Sequence, residues 1–343
     1  MNRREVFPQT TGIGSVPYTD AEKSLDMVLR TVNIPFWTQH PRLSPLELMT
    51  HQYSENLPYV SLEEDGRRVY CRDPEEDSYA EMERFYEVAL KESYVERLGR
   101  ISERYARGLY AFLKRLEKTR EKFPFIKIHT TGVFTFTLGL NFSNGTPIYS
   151  NTQMRQASSI LLTAKSLWQV SRFSPYCKRC LLFLDEPILS AIGSYPMLTD
   201  SVVVETLAEI ISAVKKQSPE TLVAIHCCGN TDWSLLIESG LDILSFDAYF
   251  YGDALLLYSD SLRRFLHKGG ILSFGIVPTD GENTLLETEE SLRRRLNQLL
   301  ERLSSKGVSV PENQILFTPS CGTGSLSPTA AERVFSLLSS FSQ

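Results

Sequence analysis

Uninterrupted apolar runs of strand length most constrain what this chain can fold into; CLLFLD (180–185) and QILFT (314–318) are two of them. A strand with one wet face alternates apolar and polar side chains. A strand apolar at successive positions must be covered on both faces, which is the condition of a parallel sheet flanked by helices. Strand-length segments recur at 10–16, 33–38, 125–136, 180–185, 222–228, 243–249, 271–277 and 314–318. Helical patterns lie between or after the later ones, at 151–171, 201–216, 233–239, 254–268, 286–305 and 329–341. In ESLRRRLNQLLERL, residues Leu292, Leu296, Leu299, Leu300 and Leu303 form one stripe, so that helix turns an apolar face inward.

Eight strands with helical crossovers predict an α/β fold, a single (β/α)8 TIM barrel spanning 1–343, with a doubly wound open sheet as the alternative. The segment 40–92 breaks the alternation: it is polar and Tyr-rich, and its EEDGRRVYCRD reads as a hairpin inserted after the second strand. We expect it to cap the barrel mouth. A net charge of −5 without a basic run excludes nucleic acid as the expected partner. The opening MNRREVFPQTTGIGSVP has no apolar core of a signal peptide, and no run nears the roughly 18 apolar residues of a membrane helix. The expectation is a cytoplasmic protein with no membrane contact, in which the 6 cysteines serve as thiols or metal ligands rather than disulfides.

Barrel enzymes keep their chemistry at the C-terminal ends of the strands. Here those ends carry Gly12 to Ser15, His129 and Thr130, Asp185 and Glu186, His226 to Cys228, Asp247, and Cys321. Side chains two apart on a strand share a face, so His226 and Cys228 point together and Cys227 points away. The glycine-flanked Cys321 offers a third soft ligand at another strand end. Three protein ligands and an open position suit a catalytic zinc ion (Zn2+). A tight, buried, cysteine-rich strand end is the alternative. An imidazole and two thiolates cancel the charge of zinc, which suits the ion to take up a substrate thiol, otherwise mostly protonated with a pKa of about 8.5.

Asp247 is read either as a fourth ligand or partner of His226, or as a strand-end carboxylate at a helix N-terminus. Of Asp185 and Glu186, alternation lets only one face the axis, where a buried carboxylate suits a substrate ammonium; a solvated loop pair is the alternative. Cys177 and Cys180 form a CxxC that precedes its strand, which places it at the far end of the barrel.

Four motifs in chain order, TTGIGSVP, LDEP, HCCGNTD and TPSCGTG, resemble the catalytic domain of cobalamin-independent methionine synthases. The HxCGNT form resembles the methylcobamide:thiol methyltransferases of the same uroporphyrinogen-decarboxylase-like superfamily. The resemblance implies zinc held by His226, Cys228 and Cys321. It also implies homocysteine as the thiol, with its amino group on Asp185 and its carboxylate on the backbone around Ile13, Gly14 and Ser15. Asp247 stands where the family carries a zinc-ligating glutamate. HQYSENLPYV replaces the family's acidic pattern after the second strand, leaving Glu55 as a substitute. The chain looks like the catalytic half alone, similar to the short, core-type enzymes, whose methyl donor is a methylated corrinoid protein; methyltetrahydrofolate is the donor of the long ones. Three rival functions remain: a coenzyme M-type methyltransferase, a metal-free decarboxylase-like lyase that would need arginines such as Arg3 and Arg4 near the first strand, and a non-catalytic zinc- or corrinoid-binding protein.

Overall fold

A computed structural model describes residues 9–63, 66–74 and 79–342. Its strands are β1 (Gln9–Thr10), β2 (Val60–Leu62), β3 (Val69–Cys71), β4 (Phe123–Thr131), β5 (Cys177–Asp185), β6 (Leu222–Cys227), β7 (Ile243–Phe246), β8 (Ile271–Val277) and β9 (Ile315–Pro319). Seven form one sheet in the order β1-β9-β8-β7-β6-β5-β4, every neighbouring pair parallel. Helices cover its outer face, as the apolar runs required.

The expected closed eight-stranded barrel is not formed. The sheet is a curled, seven-stranded one, and the segment expected as the second strand lies along the gap between β1 and β4 without becoming a strand. Its backbone meets each edge without a ladder: Ile34 N donates to Thr10 O (3.0 Å), and Lys127 N donates to Pro35 O (2.9 Å). Only isolated bridges, Phe36 with Lys127 and Ser15 with Gln39, mark its course. Pro35 has no N–H to give a ladder, so regular pairing stops there. The expected strand 10–16 likewise ends at Thr10. A Cβ on Gly12 would lie 2.2 Å from the Phe36 ring, so the chain passes this point only with glycine.

Two other strands end earlier than their sequences suggest. β4 stops at Thr131 and gives way to the helix Val133–Gly139, and β7 stops at Phe246 before the turn Ala248–Tyr251. The helix Glu289–Ser305 follows its pattern closely: Leu292, Leu296, Leu299 and Leu303 are buried, and Thr288 and Ser291 close a capping box at its start.

The concave face of the sheet holds its own apolar cluster, including Phe125, Leu181, Phe183, Leu222, Ala224, Ile243, Ile271 and Leu316. Within 40–92, β2 and β3 pair antiparallel as the expected hairpin; Glu64 and Asp65 of EEDGRRVYCRD, like Arg3 and Arg4, lie outside the described residues. The hairpin docks on the loop after Val133–Gly139, with Cys71 N donating to Asn141 O (2.9 Å) and Ser143 N to Cys71 O (2.8 Å). Among the described residues no helix is long and apolar enough to cross a membrane.

Candidate metal centre

Alternation along the strands orders the concave face into an apolar floor and a polar rim. Leu181 and Phe183 of β5 lead to Asp185, Leu222 and Ala224 of β6 to His226, and Ile243 of β7 to Ser245. His226 and Ser245 are register partners, and His226 Nδ1 lies 3.0 Å from Ser245 Oγ. The other ring nitrogen, Nε2, is buried and has no hydrogen-bond partner.

Cys228 follows the end of β6, and Cys321 stands two residues beyond the end of β9. Nevertheless one ligand atom each from His226, Cys228 and Cys321 lies within 4.8 Å of the others. With β7 and β8 between them, β6 and β9 would stand about 14 Å apart in a flat sheet, at about 4.8 Å per strand. The curl of the sheet and the inward lean of both cysteine-bearing turns bring the sulfurs together. The Cys228 thiol is held below its ordinary value, chiefly by a hydrogen bond with the Cys321 thiol and also by His226, against its burial. Cys227 faces away, buried, its Sγ 3.6 Å from Gly229 O.

Folded chains leave few buried polar atoms unpaired, so an orphaned imidazole nitrogen beside two converging sulfurs is informative. The donor set is soft and clustered, with His226 buried, both cysteines half-buried, and the unused nitrogen available as a ligand. It fits zinc.

The remaining expected residues fall into different positions. The Asp185 carboxyl is buried, its Oδ1 unpaired, and burial pushes it up to about 6 against the opposing charges of Lys127 and His226. Glu186 caps a helix: its carboxylate accepts from Phe134 N (3.0 Å), Thr135 N (2.8 Å) and Thr135 Oγ1 (2.7 Å). Asp247 also stands at a helix start. It stands outside the group of atoms within 4.8 Å, and Oδ1 accepts from Phe250 N (2.9 Å) at the start of Ala248–Tyr251. Its carboxyl is also pushed up to about 6, by burial first, and still feels His226 and Cys228. Ser245, not Asp247, partners the His226 ring. Glu55 accepts from Ser102 N at 2.8 Å, a structural tie. Cys177 and Cys180 lie with their sulfurs 3.6 Å apart at the start of β5, the end opposite Asp185.

Residues 13–15 are brought against the Cys321 turn. Thr323 donates to Ser15 O through N (2.8 Å) and Oγ1 (3.0 Å), and Gly324 N donates to Ser15 Oγ (3.3 Å). Among the described residues no acceptor pairs with the N–H groups of Gly14 and Ser15.

Three contributors escaped sequence reasoning. Ser245 gave no signal. Lys127 is fully buried on β4, and its signal was a lysine inside the apolar FPFIKIH. His129 had been placed at a strand end with no role assigned. Its ring stacks on Trp37 with centroids 3.9 Å apart, and both of its nitrogens are buried without partners.

A curled parallel sheet whose strand ends gather an imidazole and two thiols defines the class: an α/β protein with a candidate three-ligand metal centre. Its particular fold is that of B12-independent methionine synthase structures. One, from a Shewanella species in complex with selenomethionine, aligns over 98% of this chain and 97% of its own, with TM-score 0.58 and 12% identity. Another, from Listeria monocytogenes and provisionally assigned the same activity, aligns over 95% and 93%, with TM-score 0.53 and 13% identity. No protein-family model and no curated protein matches the chain by sequence.

Proposed function

We propose that the protein is a zinc-dependent methyltransferase that activates a thiol, homocysteine, for attack on a methyl group carried by a corrinoid protein or methyltetrahydrofolate, giving methionine. The observation that carries this reading is the convergence within 4.8 Å of one ligand atom each from His226, Cys228 and Cys321, together with a buried His226 Nε2 that has no hydrogen-bond partner. His226 as neutral imidazole and the two cysteines as thiolates would hold the ion. Zinc, when bound, supplies a positive centre that strips the substrate thiol of its proton and presents it as a soft nucleophile.

The chain's own residues would place the amino acid around that sulfur. Asp185, buried with a free oxygen, is suited to accept the ammonium, and the open N–H groups of Gly14 and Ser15 to bind the carboxylate. An S–CH3 bond forms as the bond between methyl and carrier breaks, and the bonding electrons leave with the carrier. The free Asp185 oxygen favours an ammonium-bearing thiol over coenzyme M, which has none. The hairpin-bearing segment 40–92 is the proposed cap over the mouth and the face that the methyl donor meets.

Purified wild-type protein is expected to hold one zinc and to demethylate methylcobalamin in the presence of homocysteine. Cys228→Ser and Cys321→Ser should lose both properties. Stoichiometric zinc retained by Cys321→Ser would sink the assignment.

A further inference from the structure

Lys127 is a charge in a place where charge is costly. It lies wholly buried on the concave side of β4, and its ammonium donates to the carbonyl of Ile13. The Phe183 ring lies beneath it, with the ammonium 4.9 Å from the ring centre, and the Phe36 ring stands 5.8 Å away. No carboxylate of the described residues stands within ion-pair distance, although Asp185 is near enough to feel its charge. Burying an ammonium without a carboxylate partner is costly, so what this lysine holds calls for an explanation.

What it holds is more informative. After β1 ends at Thr10 the chain has no ladder, and residues 12–15 depend on single ties. Lys127 fixes Ile13 from below. Gln39 N donates to Gly14 O at 3.1 Å on one side. On the other side Ser15 O and Oγ accept from Thr323 and Gly324. That last contact is tight, since a Cβ on Gly322 would lie 2.2 Å from Ser15 Oγ. A continuous run of hydrogen bonds and backbone therefore leads from the Lys127 ammonium, through 13–15, to the turn that carries Cys321.

We propose that Lys127 is a positioning residue of the metal centre: it anchors 13–15 against the Cys321 turn and so sets where the third ligand sulfur stands, an inference that rests on the zinc reading above. Outer residues that orient metal ligands commonly contribute tenfold to a hundredfold in metal affinity.

The test is Lys127→Met, which keeps the volume and removes the donor, compared with wild type for thermal midpoint, for zinc affinity against a chromophoric chelator, and for the absorption of the cobalt(II)-substituted protein. The expected result is a folded variant with zinc affinity weakened about tenfold to a hundredfold. Its thiolate-to-cobalt charge-transfer band should drop towards the intensity of a single sulfur as Cys321 loosens. A folded variant with wild-type affinity and an unchanged cobalt spectrum overturns the proposal. Should Lys127→Met not fold, Thr323→Val loosens the same tether from its far end without changing charge. A weaker zinc site with the same spectral change supports the proposal, and an unchanged site overturns it. Wild-type protein that takes up neither zinc nor cobalt sinks the functional reading and this one together; normal wild-type uptake with an unaltered variant sinks this one alone.

Discussion

At the scale of single residues, the centre depends on which nitrogen of His226 keeps its proton. With Nδ1 3.0 Å from Ser245 Oγ and Nε2 lacking a partner, ligation through the Nε2 lone pair requires Nδ1 to carry the hydrogen and donate it to Ser245. Ser245→Ala is expected to fold normally and to bind zinc about tenfold to a hundredfold more weakly in chelator competition, because the ring loses its orienting acceptor. Wild-type affinity in that variant would contradict the assigned tautomer. The strand parity that put His226 and Cys228 on one side was legible in three letters. The uses of the acidic residues were not: Asp247 and Glu186 both serve helix starts, and nothing local distinguishes a strand-end carboxylate that caps a helix from one that meets a ligand.

At the scale of elements, the junction after β4 shows a local preference overruled. VFTFTLG is rich in aromatic and β-branched side chains and reads as strand, yet Val133–Gly139 is a helix. Its first turn is fixed from another strand: Glu186, just past β5, accepts from the buried N–H groups of Phe134 and Thr135 and from the Thr135 hydroxyl. Gly132 makes this possible, because a Cβ there would lie 2.1 Å from the Glu186 carboxyl carbon. Glu186→Ala strands these donors and should cost about 3 kcal/mol in urea unfolding, whereas a loss below about 0.5 kcal/mol would deny the cap. By contrast, the helix Glu289–Ser305 was legible, since its period and its Thr288–Ser291 capping box lie in one short window.

At the scale of the whole molecule, buried carboxyls set how stability follows pH. Burial pushes Glu47 and Glu186 up from 4.5 to about 7. A proton held more tightly folded than unfolded gives stability that is complete below the ordinary carboxylate range and lost as pH rises through about 7. The metal-free protein should therefore melt at lower temperature at about pH 7.5 than at about pH 5.5. Zinc bound as proposed would act in the opposite sense, because thiol ligands must shed protons; the rise in melting temperature on adding zinc should grow with pH. A metal-free melting profile that climbs with pH would contradict the carboxyl assignment.

The sequence alone determined what short-range pattern can determine. Uninterrupted apolar runs dictated parallel strands covered on both faces, helical periodicity placed the later helices, and the spacing of His226 and Cys228 put two candidate ligands on one side. Tertiary structure decided the rest. Whether the sheet closes depends on how one proline-interrupted segment meets two distant edges, and that left seven strands and a bridged gap in place of eight. Whether Cys321 reaches Cys228 depends on curl accumulated over three strand spacings and on a loop tied by Lys127 and Thr323. These are sums of long-range packing, and no local window of sequence contains them.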